Sequence, residues 1–345
     1  VSLQAALHKI SQRQDLSFEE AAAAMQILMA GEATPAQIGA YLMGLRLKGE
    51  TVAEIAGSAY AMRQLANNPH VTASDVIDTC GTGGDGAHTF NISTTVAFVV
   101  AGAGVPVAKH GNRSVSSRSG SADVLRELGV NLDLTPEQAG RCVDDIGIGF
   151  LFAPTFHPAM RHAIGPRREM GLRTIFNILG PLTNPAGAKR QLMGVFAPHL
   201  TPILAQVLRD LGSKSVMVVH GNDGLDELTT TTTTTLSTLH NGQIHNTTLD
   251  PLTLGLRRAQ AEDLVGGGPA ENAAITWAIL KGRGTPAQRE IVMLNSAAAL
   301  MVAGRANTWE EGLHQAAHVL DSGAGAHKLE ELIAYSQGLA VSTQH

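Results

Sequence analysis

The chain has 345 residues, 44% of them hydrophobic, and a formal net charge of −5. That length exceeds what one core usually serves, so two domains are expected, and the hydrophobic share excludes disorder. The negative balance excludes a global basic field for nucleic acid or membrane, although a local anion pocket is compatible with it.

Aromatic residues make up only 4% while Gly and Ala abound, which favours helices packed closely on a sheet. The two cysteines, Cys80 and Cys142, have no paired spacing, so neither a disulfide framework nor a structural zinc site is expected, and a reducing cytoplasm fits. The N-terminal stretch is amphipathic without a long apolar run, so neither a secretory signal nor a membrane span is expected there.

Leu3 to Ile10 reads as the first helix. Ser17-Phe-Glu-Glu20, Thr34-Pro-Ala-Gln37 and Thr51-Val-Ala-Glu54 each read as a capping box opening another. In such a box the hydroxyl accepts a free first-turn N–H and the Glu or Gln reaches back to the cap's own N–H; Pro35 suits the first helical position. Four helices are thus expected before Asn67-Asn68-Pro69 breaks the pattern.

From Val76 the pattern changes. Val76–Cys80 reads as a buried strand, followed by a glycine loop, a helix from about Ser93 to Ala103 and a strand over Val105–Lys109. That is a βαβ unit with a parallel sheet. Gly149–Phe152, Met193–Phe196 and Ser215–Val219 read as further strands with helices between, and about four helices follow Gly268. The expected fold class is α/β: a small N-terminal all-helical domain and a larger α/β domain with a mainly parallel central sheet. Thr229–Thr235 is an unbroken threonine run whose β-branched residues suit a strand or an extended loop.

The loop Cys80-Gly-Thr-Gly-Gly-Asp-Gly86 lies between a strand and a helix, where glycines let backbone N–H groups approach phosphate and the helix N-terminus adds positive potential. Gly81, Gly83 and Gly86 also satisfy GxGxxG, but a dinucleotide site needs an acidic residue some way downstream, and none occurs between Asp85 and Asp123. No Gly-Lys-Ser/Thr follows either, so a P-loop is excluded.

The stretch Lys109-His-Gly-Asn-Arg-Ser-Val-Ser-Ser-Arg-Ser-Gly-Ser-Ala-Asp123 places a cation and a polar loop directly after a strand. Together with the glycine loop, Arg173-Thr-Ile-Phe-Asn-Ile-Leu-Gly-Pro-Leu-Thr-Asn-Pro185 and His220-Gly-Asn-Asp-Gly-Leu-Asp-Glu227, it resembles the anthranilate phosphoribosyltransferase family, of the nucleoside phosphorylase-like phosphoribosyltransferases, over nearly the whole chain.

The resemblance implies transfer of the phosphoribosyl group of phosphoribosyl pyrophosphate to the amine of anthranilate, in tryptophan biosynthesis, with Mg2+ as cofactor. It implies a homodimer paired through the helical domain. It also implies discontinuous domains: residues 1–70 with a returning segment near 165–182, and residues 71–164 with 183–345. Gly81, Gly84 and Asp85 match the loop that holds the pyrophosphate. Thr89, Asn91, Ser93 and Thr94 match the segment contacting the phosphorylated sugar, and Ser93 also a metal contact. Lys109, Asn112 and Ser121 match the closing side of that site. Gly81, His110, Asn112, His157, Arg167, Gly180 and Pro181 match the anthranilate tunnel, and Asp226 and Glu227 the acidic pair that holds Mg2+.

Elementary chemistry agrees with these assignments. Two carboxylates beside a polyanion repel it unless a hard cation intervenes, and oxygen ligands suit Mg2+. The departing pyrophosphate gains negative charge as the ribose ring gains positive charge, so metal and backbone stabilisation are needed rather than a side-chain nucleophile. An aromatic amine keeps its lone pair at neutral pH, so no strong general base is required. The Arg167 fork suits the anthranilate carboxylate. Pro166 and the threonine run depart from the family pattern and bear on loop geometry. A pyrimidine nucleoside phosphorylase is the competing enzyme reading, and the Lys109–Ser121 stretch and the acidic pair oppose it. A catalytically inactive nucleic-acid binder would need an erased glycine loop and a basic stripe, neither of which this sequence has.

Overall fold

The computed structural model describes residues 2–114 and 118–341, so residues 115–117 of the Lys109–Asp123 stretch lie outside the described residues. The chain opens with α1 (Leu3–Ser11), α2 (Phe18–Ala30), α3 (Pro35–Lys48) and α4 (Val52–Gln64). Ser17, Thr34 and Thr51 each cap their helix, and Glu20, Gln37 and Glu54 return the reciprocal bond. Glu54 does more. Fully buried, it also accepts the Leu16 amide and the Lys48 ammonium, each at 2.9 Å, and so ties the α1–α2 connection to α3 and α4.

The second part runs β1 (Ile77–Gly81), α5 (Ile92–Gly102), β2 (Val107–Gly111), α6 (Ser121–Glu127), α7 (Pro136–Ile146), β3 (Ile148–Phe152), α8 (Ala153–Phe156), α9 (Arg161–Met170) and α10 (Phe176–Leu179). It continues through β4 (Arg190–Gly194), α11 (Leu200–Asp210), β5 (Ser215–Gly221), β6 (Thr234–His240), β7 (Gln243–Leu249), α12 (Pro269–Leu280), α13 (Pro286–Val302), α14 (Trp309–Ser322) and α15 (Ala324–Val341). The strands form one sheet in the order β3-β2-β1-β4-β5-β6-β7. The first five are parallel, and β6 and β7 add an antiparallel edge.

Both faces of the sheet are covered. Along β5, Met217 and Val219 join the core built with α5, α7 and α12–α15, while Val216 and Val218 join the core built with α11 and α1–α4. This is the alternation of a strand buried on two sides. Helix α5 is apolar all round because it is enclosed all round, with Ile92 and Thr94 to Ala101 buried. Ala163 of α9 and Phe176, Ile178 and Leu179 of α10 share the core of α1–α4.

All five expected strands shift from their apolar runs, β3 beginning one residue earlier at Ile148 and β5 running two further to Gly221. The run Met193–Phe196 is expected to be a strand, yet β4 pairs over Arg190–Gly194, because β1 and β5 flank it only that far. Likewise β2 starts at Val107 rather than Val105, since Pro106 has no N–H to give a ladder, and β1 ends on Gly81, one residue past Cys80. The threonine run divides: Thr229–Thr233 is loop and β6 begins at Thr234.

Candidate active site

The strand order turns between β1 and β4, where one βα connection leaves to each side and a crevice opens beyond the carboxyl ends. Four of the five parallel strands end on glycine: Gly81, Gly111, Gly194 and Gly221. The reason is close approach. A Cβ on Gly81 would lie 2.2 Å from the Asp226 Oδ2, and one on Gly194 would lie 1.5 Å from the Asp226 backbone oxygen. At Gly81 and Gly194 the strand ends are bare so that the loop carrying the acidic pair can lie across them, whereas a Cβ on Gly111 would meet Ser121 Oγ at 2.3 Å.

That loop joins the glycine loop and the start of α5. The Gly83 amide donates to Asp226 Oδ2 at 2.7 Å, and the Ser93 amide donates to Glu227 Oε1 at 3.1 Å. Gly83, Gly84 and Gly86 hold φ of +65°, +76° and +72°, a backbone that side chains resist, so the loop turns back on itself. Lys109, at the end of β2 and 4% exposed, donates to the Thr79 carbonyl and to Ser93 Oγ at 3.3 Å. Burial pulls its ammonium down, and Asp78 is the largest of the charges opposing that. Burial pushes the Asp226 carboxyl well above the usual carboxylate range, and the charges of Asp85 and Glu227 beside it add to the rise. Burial likewise pushes Glu227 up to about 7, against the pull of Lys109.

Buried adjacent carboxyls held this way are costly unless a cation joins them. Neither forms an ion pair with Lys or Arg among the described residues, and the oxygen donor set fits Mg2+. Among the described residues no group of three or more His, Cys, Asp and Glu side chains forms a metal cage. The fit is therefore that of a hard ion completed by phosphate and water, which is how Mg2+ is usually held.

The threonine run explains how the pair is anchored. Asp223 accepts the Leu225 amide at 3.2 Å, the Thr229 hydroxyl at 2.7 Å and the Thr231 hydroxyl. Asn222 donates to the Thr233 hydroxyl at 2.7 Å and accepts from that of Thr235 at 2.9 Å, while the Thr234 hydroxyl accepts the Thr229 amide at 3.1 Å. Downstream of the acids, Asn295 of α13 takes the Leu228 amide at 3.0 Å and returns a bond to its carbonyl at 2.8 Å. The acidic pair is thus pinned on both sides. Thr229→Val is expected to cost about 2–3 kcal/mol, because its hydroxyl donates to the Asp223 carboxylate and also accepts the Thr231 amide at 3.0 Å. Thr232→Val, at a hydroxyl without a hydrogen bond among the described residues, should leave the urea midpoint unchanged; comparing the two midpoints checks this.

On the other side of Lys109 lies a pair of imidazoles. His110 and His157 are buried, their ring centroids are 5.1 Å apart, and the Gly180 and Thr183 backbones lie beside them, favouring their charged forms. Both Nε2 atoms are buried without a partner among the described residues, which marks them as awaiting one. Burial pulls His110 down to about 3, with His157 adding to the shift, and pulls His157 down to about 4.

Both rings are therefore neutral at pH 7, and the sign of the stability effect follows. Below about pH 6.5 the unfolded chain binds protons that the folded chain refuses, so each ring destabilises the fold progressively as pH falls from 6.5 towards 3–4. At pH 5 this amounts to about 2 kcal/mol per ring at most. Thermal melts of His110→Gln/His157→Asn should lose that part of the acid slope seen in the unmodified chain.

The remaining expected residues fall around these two groups. Gly180 and buried Pro181 border the imidazoles, and the Pro181 carbonyl is held from behind by Gln191 at 2.7 Å. Asn91 caps α5 without a side-chain cap bond; its amide donates to the Ser119 carbonyl and accepts from Asn272. The Thr94 hydroxyl is buried and unpartnered among the described residues. Asp85 accepts the Ala87 amide at 3.2 Å. Asn112 and Ser121 meet on the rim, the Ser121 hydroxyl donating to the Asn112 carbonyl at 3.3 Å. Thr89 pairs with Val265 across the loop. Arg167 holds its guanidinium 4.9 Å over the Phe176 ring, partly desolvated.

Sequence reasoning missed the support behind these groups. Asp78, fully buried on β1, accepts the His110 amide at 3.1 Å and the Asn184 amide at 2.8 Å, and Asn184 also donates to the Ala108 carbonyl. A lone Asp inside an apolar strand run was the available signal. Asp223 lies inside the His220–Glu227 motif, which marks its place but not its role, and Asn295 carries no signal beyond composition.

A sheet switch point with a glycine loop, a buried acidic pair and a buried lysine fits a transferase that handles a phosphorylated anion, and the comparisons place the chain in a glycosyl transferase family. Residues 4–66 match the helical bundle domain of a glycosyl transferase family, and residues 73–326 match its a/b domain. The anthranilate phosphoribosyltransferase of Moorella thermoacetica is 56% identical over 339 residues, 98% of this chain and 99% of that one. That of Symbiobacterium thermophilum is 53% identical over 98% of both chains. Among solved structures, the Thermus thermophilus enzyme superposes with a TM-score of 0.92 at 44% identity, covering 96% of this chain and 99% of its own. The Saccharomyces cerevisiae enzyme in complex with PRPP and Mg superposes with a TM-score of 0.89 at 26% identity, covering 97% and 98%. The chain belongs to the anthranilate phosphoribosyltransferase family.

Proposed function

We propose that this chain transfers the phosphoribosyl group of phosphoribosyl pyrophosphate to the amine of anthranilate, releasing pyrophosphate, as a step of tryptophan biosynthesis. The observation that carries the reading is the buried Asp226–Glu227 pair lying on the glycine loop at the sheet switch point. The yeast relatives solved with PRPP and Mg and with 4-fluoroanthranilate support the two ligand classes.

In this reading Gly81, Gly84 and Asp85 hold the pyrophosphate, and Thr89, Asn91, Ser93 and Thr94 hold the phosphorylated sugar. Lys109, Asn112 and Ser121 close that side. Asp226 and Glu227, with Ser93, hold Mg2+, which when bound neutralises charge on the leaving pyrophosphate. Lys109 adds a fixed positive charge in a desolvated site, where it acts more strongly than in water. Gly81, His110, Asn112, His157, Arg167, Gly180 and Pro181 form the anthranilate side. Neutral His110 and His157 offer Nε2 to the aromatic acid without drawing its amine into protonation, and Arg167 pairs its carboxylate.

The shared core of α1–α4 with α9 and α10 supports a small unit of residues 1–70 with a segment near 165–182, the rest forming the large unit. We also read the molecule as a homodimer paired through the helical unit. Two buried free thiols, Cys80 and Cys142, suit a cytoplasmic setting, and no helix among the described residues is long and apolar enough to cross a membrane.

Phosphorolysis separates this reading from a nucleoside phosphorylase. Inorganic phosphate or arsenate with thymidine or uridine should yield no free base. Base release at a rate matching any anthranilate turnover would overturn the assignment.

A further inference from the structure

We propose that Arg173 is a positioning residue that fixes a peptide plane of the glycine loop and ties that loop to the helical bundle; this rests on the reading of the loop as the pyrophosphate site. Arg173 lies between α9 and α10. Its Nη2 donates to the Gly84 carbonyl at 2.5 Å, and its guanidinium stacks 4.5 Å over the Phe196 ring, just beyond β4. Its own backbone carbonyl accepts from Arg46 Nη1, in the last turn of α3, at 2.5 Å. One residue therefore bridges the glycine loop, the sheet rim and the bundle.

The chemistry of that bond gives it a purpose. In a trans peptide the carbonyl and the following N–H point in opposite directions. Holding the Gly84 carbonyl on the guanidinium aims the Asp85 N–H the other way. Gly84 sits at φ +76° in a glycine-rich turn, where the peptide otherwise rotates with little steric cost. A rotated peptide would present a carbonyl oxygen, not an N–H, to the loop's interior and so repel a polyanion. Arg173 and Arg46 form no ion pair with a carboxylate among the described residues, so neither guanidinium has a competing anion to leave for. Aromatic stacking favours the planar guanidinium over an ammonium at this position.

Two experiments on the full chain test this. Backbone amide exchange of unliganded protein should show the peptide spanning Gly83 to Asp85 exchanging about tenfold faster in Arg173→Ala, the worth of one hydrogen bond to a charged group, with α13 unchanged. Kinetically, KM for phosphoribosyl pyrophosphate should rise about tenfold while KM for anthranilate stays within about twofold, because the lost bond serves the loop alone. Arg46→Ala should shift both readouts in the same direction by less, and Arg173→Lys should fall between wild type and Arg173→Ala. Unchanged loop exchange, or equal rises in both KM values, would overturn the proposal. If Arg173→Ala does not fold, Arg173→Lys carries the same comparison. Wild type that consumes no anthranilate would sink the functional reading instead, and the exchange result would still decide the role of Arg173 in the loop.

Discussion

Asp226→Asn/Glu227→Gln is expected to lower turnover by on the order of a thousandfold or more while leaving the fold at least as stable. The amides keep the shape of both side chains, remove the charge and turn one oxygen of each into an N–H donor, while the oxygen that remains can still accept the Gly83 or Ser93 amide. Activity falls because the oxygens proposed to hold a hard cation beside the pyrophosphate lose their negative charge. Stability does not fall, because in the metal-free protein both carboxyls are fully desolvated and repel each other and Asp85. The pH sign is specific. A carboxyl raised above its unfolded value holds its proton longer in the folded chain, so metal-free stability declines as pH rises from about 4.5 to 7, the window set by Glu227. The double variant loses that decline. Because the ligand oxygens must be deprotonated, Mg2+ should bind the unmodified chain more tightly as pH rises through 7. Melts at several pH values with and without Mg2+, beside steady-state turnover, check all of these.

The second large effect lies on a residue that touches no substrate. Gly194→Ala should lower turnover by on the order of a hundredfold and destabilise the fold by about 3 kcal/mol. The added methyl would stand 1.5 Å from the Asp226 carbonyl oxygen and 2.4 Å from its carbonyl carbon, both backbone atoms with no rotamer to give. Either β4 or the loop carrying the acidic pair must shift. With β4 hydrogen-bonded between β1 and β5, and the loop pinned by Asp223 and Asn295, each shift breaks bonds. Gly338→Ala in α15, where a Cβ meets open space, serves as the control and should not lower the urea midpoint. Equal behaviour of the two variants would mean that the strand end tolerates a side chain.

How much of this was legible in the sequence depended on the range of the interaction. The capping boxes at Ser17, Thr34 and Thr51 are local, and all three form. The same signature stands at Thr135-Pro-Glu-Gln138 and Thr285-Pro-Ala-Gln288, where it caps α7 and α13. The Asn241-Gly242 turn, with φ of +49° and +78°, closes the β6–β7 hairpin and was equally readable. Strand ends were less legible, because apolar runs mark burial whereas pairing depends on partners far along the chain. The residues assigned to the site are legible mainly through motif resemblance, with the glycine loop the one part that spacing and chemistry also mark. Nothing in the spacing says that the Gly83 amide meets a carboxylate 143 positions later. The threonine run has its reason in the fold, where Asp223 and Asn222 gather its hydroxyls.

The most direct measurement is the loss of anthranilate fluorescence when the protein is mixed with anthranilate, phosphoribosyl pyrophosphate and Mg2+. Consumption that requires both substrates, stops with chelator and is absent in Asp226→Asn/Glu227→Gln is the expected result. Unchanged fluorescence with folded, Mg2+-loaded wild type would contradict the assignment of anthranilate as the acceptor.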